Sequence, residues 1–122
     1  LKHLIYLASP YLYRRDDKTD VQKIHIQEAR YQQAIDATAY LMKKGRTVYS
    51  PIVATHPIAV KHDLPLGSEY WMQFDEIILR KCDEMYVLMI DGWEDSPGVT
   101  REIDIAKTMG MNRTYMEPIK DE

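Results

Sequence analysis

The sequence predicts an α/β protein, a parallel sheet of about four strands covered by helices on both faces. Three observations carry that expectation. Short apolar runs of strand length alternate with longer stretches of helical periodicity. The first run, LIYLA at 4–8, is continuously apolar rather than alternating, as a strand buried on both faces requires. Read along the chain the order is strand-helix-strand-helix-strand-helix-strand, which argues for a parallel sheet covered on both faces.

The elements follow in order. Strand 4–8 ends in Ser-Pro and is followed by a polar loop from 9 to about 20. A long helix is expected over 21–44, with Ile24, Tyr31, Ile35, Thr38 and Met42 on one side. Lys43, Lys44 and Gly45 form its stop: cations at the negative end of the dipole, then glycine. RTVYSPI (46–52) reads as the second strand, and 53–65 as a long loop. Pro65 opens a second helix that runs to about Cys82, with Trp71, Phe74, Ile78 and Cys82 on its apolar face. EMYVLMI (84–90) is the third and most apolar strand. The loop DGWEDSP leads to a third helix, 97–110, and RTYMEP (113–118) is the fourth strand. Right-handed crossovers between such elements give a small flavodoxin-like or Rossmann-like three-layer sandwich. Ligands then bind outside the carboxyl ends of the strands.

Composition narrows the functional classes. The 122 residues suffice for a single domain, 1–122, with one core. A net charge of −3 with scattered basic residues predicts no nucleic acid polymer as partner. No apolar run approaches the ~18 residues of a membrane span. The first residues turn polar too soon for a signal peptide. The single cysteine, Cys82, allows no internal disulfide, which fits a cytoplasmic setting. Cys82 ends an apolar face with no base nearby and reads as core. His56 and His62 lack the convergent spacing of a metal site, so no metal is expected, and both read as solvated loop residues. No glycine-rich fingerprint follows the first strand, which argues against a dinucleotide or P-loop nucleotide and leaves no cofactor expected. A four-stranded sheet this small has exposed edges, so a homo-oligomer is expected.

Two carboxylates stand out. Asp75 falls within the apolar face of its helix, four residues after Trp71 and three before Ile78. Glu102 lies beside the stripe Val99, Ile103, Ala106 near the start of the next helix. A carboxylate against an apolar stripe is costly unless it is hydrogen-bonded or used. Paired carboxyl groups in unlike surroundings are the equipment of glycosidic bond cleavage. By position, Glu102 near a helix N-terminus is expected to stay ionised, as a nucleophile must. Asp75 among Trp71, Phe74 and Ile78 is expected to be desolvated and to carry a proton. The competing structural reading is that each helix brings a carboxylate to its boundary. Among aromatic residues, Tyr11 follows a strand end and is a pocket candidate. Tyr6 reads as a packed strand residue, Trp71 as core with one face toward a ligand, and Trp93 as a lid or oligomer contact.

IYLASPY, WMQFDEIILRKCDEMYVLMI and SPGVTREIDIA, in that order, resemble the nucleoside 2-deoxyribosyltransferase family. The resemblance covers most of the chain. Its most specific parts are Ser96, Gly98 and Glu102 in one motif and Asp75 with Asp83 eight residues on. It implies that Glu102 is the nucleophile forming a covalent glycosyl-enzyme and that Asp75 orients the sugar and assists proton transfer. Ser96 stands where transferases carry an acidic residue. It is more similar to hydrolases of deoxynucleoside 5'-monophosphates, in which Ser9 and Ser96 would hold the phosphate, with Arg14 or Arg15 assisting. Asp104 stands where relatives often have glycine, on the polar face. The implied partner is a nucleoside or nucleotide, and the expected substrate-binding residues are Ser9, Tyr11, Ser96, Gly98, Asp83 and Trp71. The expected activity is cleavage or transfer of an N-glycosidic bond. The alternative is a nucleotide-binding module that turns over weakly or not at all.

Overall fold

The computed structural model describes residues 3–65 and 68–120. Its elements are β1 (Leu4–Ala8), α1 (Asp20–Lys43), β2 (Thr47–Tyr49), α2 (Pro51–Lys61), α3 (Ser68–Leu79), β3 (Glu84–Leu88), α4 (Pro97–Thr108) and β4 (Asn112–Met116). A single 3-10 turn, Trp93–Asp95, precedes α4. The four strands form one parallel sheet in the order β2-β1-β3-β4. This is a small flavodoxin-like three-layer α/β fold.

Strand alternation builds two cores. Tyr6, Ala8, Met85 and Val87 face α3 and α4, where they meet Leu79, Val99 and Ala106. Leu7 and Leu88, with Ile90 just beyond β3, lie on the other side with Ala37 of α1. From β1 the chain crosses to β2 on one side and returns to β3 on the other. The carboxyl ends of β1 and β3 therefore flank the topological switch point, where such sheets open a crevice.

Local chemistry explains the helix ends. Thr19 caps α1 in a capping box: its hydroxyl accepts from the Gln22 N–H at 3.1 Å, and the Gln22 side chain accepts from the Thr19 N–H at 2.8 Å. Gly45 takes φ +79° just beyond the helix, the left-handed conformation that a glycine stop supplies.

Several expectations are corrected. The segment 53–65 is not a loop; most of it is α2. The Ser-Pro pair read as a strand end is a helix start, with Ser50 accepting from the Val53 N–H at 3.3 Å and Pro51 in the first turn. β2 accordingly stops at Tyr49. Pro57 inside α2 breaks the helical pattern in sequence without breaking the helix. α3 ends at Leu79, and Cys82 lies in the turn beyond it. Residues 66 and 67, within the helix predicted over 65–82, lie outside the described residues. β3 and β4 are each shorter than predicted, ending at Leu88 and Met116. The predicted side of α1 is only partly the inner one: Thr38 is buried, but Ile24 is 59% and Met42 54% exposed, and Gln27, Arg30, Ala34, Ala37 and Leu41 make up the rest of the buried face. Small residues at Ala34 and Ala37 let the helix lie close to the sheet, and of the three buried polar residues on that face Arg30 donates to the Leu12 carbonyl at 2.8 Å and Thr38 to the Ala34 carbonyl at 2.7 Å. Phe74 is likewise 47% exposed rather than packed.

Candidate active site

Glu102 sits in the second turn of α4, which Ser96 caps by accepting from the Val99 N–H at 3.2 Å. Val99 and Ala106 anchor the helix against the sheet and turn Glu102 toward β1. There the hydroxyl of buried Tyr6 donates to Glu102 Oε2. Asp75 reaches the same region from the second turn of α3. Its Oδ1 is buried and has no hydrogen-bond partner among the described residues. Ser9, just after β1, has a hydroxyl in the same condition. Both residues, with Glu102, line one cavity of about 570 Å³ at the carboxyl ends of the strands. Buried polar atoms are nearly always paired, so two orphans in one cavity mark a place built to receive polar groups.

The cavity gathers Ser9, Tyr11, Trp71, Asp75, Ser96, Gly98 and Glu102. Trp71 is half-buried and donates its indole N–H to the Pro65 carbonyl at 2.9 Å. That bond fixes the ring at the rim. Arg14 lines the wall as well, whereas Arg15 pairs with Asp95 at 2.9 Å on the surface.

Asp83 is a correction. Its carboxylate accepts from the Leu4 N–H at 2.7 Å, and its own N–H donates to the Leu4 carbonyl at 2.8 Å. It pins the first residues of β1 beside β3, at the end of the sheet away from the cavity. Its position eight residues after Asp75 carries it across a helix end and a turn, so nearness in sequence does not bring it to the site. Asp104 is exposed and faces away from the cavity. Trp93, expected as a lid or oligomer contact, is half-buried and packs on the α3/α4 core with its ring 5.6 Å from Tyr115. Cys82 is buried, its thiol is pushed up to about 11 by burial, and its Sγ donates to the Ile78 carbonyl. It is a core residue.

The electrostatics differ from the positional expectation. Burial pushes Asp75 up to about 7, in the expected direction. Glu102 is also pushed up, to about 8, chiefly by burial and secondarily by the charge of Asp75. The Tyr6 hydrogen bond and the charge of Arg101 act the other way without winning. Proximity to a helix N-terminus does not keep Glu102 ionised, because that influence fades within the first turn and Glu102 is in the second. Tyr6 is held well above its usual range, first by burial and then by Glu102. The site is therefore a proton-holding pair beside a neutral phenol.

Two residues missed as site components contribute. A tyrosine in a fully buried strand needs a partner for its hydroxyl, and that requirement was the available signal for Tyr6. His56 is buried, not solvated. Its Nδ1 bonds to the Tyr11 hydroxyl and its Nε2 to Glu28 Oε2 at 2.9 Å, and Tyr31 stacks on the ring at 4.1 Å. The signal was Ser50-Pro51, which places His56 on a helix facing α1. His62, by contrast, is exposed. Among the described residues, no cluster of three or more His, Cys, Asp or Glu has the arrangement to hold a metal ion. Among the same residues, no helix is long and apolar enough to cross a membrane.

A family model described as a domain of unknown function (DUF1937) matches residues 3–117. The chain belongs to this family. Every cavity residue named above falls within the matched span, so the DUF1937 domain contains the whole candidate site. Comparison with curated proteins gives no match.

Proposed function

We propose that this DUF1937 domain cleaves or transfers the N-glycosidic bond of a nucleoside or nucleoside 5'-monophosphate through a glycosyl ester on Glu102. One observation carries the proposal: Glu102, held by Tyr6, and Asp75, with a buried unpartnered oxygen, open into the same cavity. The motif resemblance to nucleoside 2-deoxyribosyltransferases supports the choice of bond.

In this reading the productive form has Glu102 ionised and Asp75 protonated, one proton shared between two groups that titrate near 7 and 8. A Glu102 oxygen attacks C1' of the sugar. The C1'–N bond breaks, its electrons leave with the base, and Asp75 supplies the proton. Water or a second base then attacks C1' from the opposite face and releases Glu102, with Asp75 recovering a proton. Two displacements give retention. The Tyr6 hydroxyl stabilises the carboxylate when it is regenerated and aims one of its oxygens. At the 5' end, the Ser9 hydroxyl is available, and Ser96, accepting from Val99, keeps its own proton to donate. At the start of α4 Pro97 has no N–H and those of Val99 and Thr100 are donated to Ser96, so the Gly98 N–H is the one suited to a phosphate.

The second reading, a nucleotide-binding module with weak or no turnover, is favoured by one observation: a carboxyl pushed up to about 8 is mostly protonated at neutral pH. The same experiment decides both. A panel of ribo- and deoxyribonucleosides and their 5'-monophosphates is incubated with wild type and Glu102→Gln, and free base is quantified chromatographically. Release by wild type alone supports the enzyme. Binding without release in wild type supports the module, and release that survives the substitution sinks the Glu102 assignment. A cytoplasmic, homo-oligomeric protein belongs to the same proposal. Tyr70, Phe74 and Ile77, exposed along α3, supply an apolar stripe for self-association, and light scattering of the purified protein tests it.

A further inference from the structure

The wall of the cavity that carries Tyr11 has a direction built into its hydrogen bonds. Glu28 projects from α1 with its side chain 52% exposed, and its second oxygen accepts from the Gln32 side-chain amide at 3.3 Å. A carboxylate so placed only accepts. His56 Nε2, 2.9 Å from Glu28, must then carry the ring proton. In neutral imidazole that leaves Nδ1 as an acceptor, and its partner is the Tyr11 hydroxyl. The Tyr11 proton is thereby committed to His56. What Tyr11 turns to the cavity is oxygen lone pairs alone. Tyr31 stacked on the imidazole, and the burial of His56 on α2, keep the ring from turning over.

We propose that Glu28 and His56 are positioning residues that fix Tyr11 Oη as a hydrogen-bond acceptor in the cavity, selecting a ligand that presents an N–H or O–H donor at this wall. A phenol free to rotate would accept or donate with equal ease; this one has lost the choice. Discrimination follows from cost. A ligand with an acceptor at that position faces lone pair against lone pair, and one with no polar group strands the Tyr11 oxygen. The inference rests on the glycosidic reading only for the nature of the donor. In a nucleoside, whose 5' end is held by Ser9 and Ser96 in that reading, the donor is the exocyclic amine of the base or the 2'- or 3'-hydroxyl of the sugar.

Two measurements test it. The first needs no ligand: two-bond proton–nitrogen NMR correlations of His56 in the full chain. The expected result is a single Nε2–H tautomer near neutral pH, retained in Glu28→Gln, whose amide oxygen still accepts, and lost to a tautomer mixture in Glu28→Leu. A protonated Nδ1 in the wild type overturns the proposal. The second is calorimetric binding to the Glu102→Gln protein, which holds ligand without turnover. The probes are adenosine, purine riboside, 2'-deoxyadenosine and 3'-deoxyadenosine. Tyr11→Phe should weaken the donor-bearing ligand about tenfold and leave unchanged the one analogue that lacks the contacted donor. Insensitivity of purine riboside identifies the base amine; insensitivity of a deoxy sugar identifies the matching hydroxyl. Equal loss across all four, or no loss, overturns the selective role. If none of the four binds while His56 shows the expected tautomer, the nucleoside reading fails and the acceptor stands.

Discussion

Residues 75 and 76 on α3 are neighbours, as are 101 and 102 on α4, yet the two pairs they form across the helix contact are opposites. Glu76 meets Arg101 at 2.8 Å and Arg80 at 3.0 Å, and those cations hold its carboxyl below the usual range. Among the described residues Asp75 and Glu102 meet no cation directly, and burial holds both above it. One pair is a surface clasp between two helices. The other is two partly buried acids beside a phenol in the cavity wall. A hundred-degree step around each helix is enough to separate them. A cation, Arg101, lies one residue from Glu102, and Glu76 engages it together with Arg80.

The comparison breaks first at Glu102. If the buried pair is chemical, Glu102→Gln should lower base release by roughly 10³-fold or more in a chromatographic assay, while Glu76→Gln changes it little. Asp75→Asn comes next, with an expected loss on the order of 10²- to 10³-fold, the range of a general acid. Tyr6→Phe should cost about ten- to a hundredfold, the worth of a hydrogen bond to a charged group, with the fold retained by circular dichroism.

Acidity offers a test of intermediate size. Base release should follow a bell, rising as one proton leaves the pair near 7 and falling as the second leaves near 8. A profile that is flat from 5 to 9 would remove the pair from the mechanism. Stability has its own sign. Asp75 and Glu102 hold protons in the folded chain that the unfolded chain releases near pH 4, so the native state is favoured at low pH. That advantage is lost as pH rises from the ordinary carboxylate range through about 7 to 8. Glu102→Gln and Asp75→Asn should therefore each raise the thermal midpoint at pH 9 and do little at pH 4, a gain of roughly 0.5–2 kcal/mol typical of relieved active sites. Glu76 has the opposite dependence, gaining from ionisation above pH 4.

The smallest effect belongs to Arg101→Met. Glu76 keeps Arg80, and a half-exposed ion pair is worth only about 0–1 kcal/mol, so chemical denaturation should barely move. The alkaline limb of the pH profile should instead shift upward, because the charge of Arg101 lowers Glu102.

Sequence alone determined the parallel α/β class, the presence of four strands, the stop at Gly45, and the two carboxylates as residues that needed a reason. These rest on short-range rules: strand-length apolar runs, helical spacing, a glycine after lysines. It misplaced what depends on packing. α2 was hidden by Pro57, and the inner face of α1 was misjudged because small and polar residues lie against the sheet there while Ile24 and Met42 face solvent. Only the tertiary structure decided that Tyr6 reaches Glu102, that Asp83 belongs to the far end of the sheet, and that Glu28, His56 and Tyr11 form one chain of hydrogen bonds. Only it decided that Glu102 is pushed up rather than held ionised. The physical reason is common to all of these. Periodicity tells which side of an element a residue occupies, whereas desolvation and hydrogen bonding depend on which other element arrives there, and that is set by the sheet order.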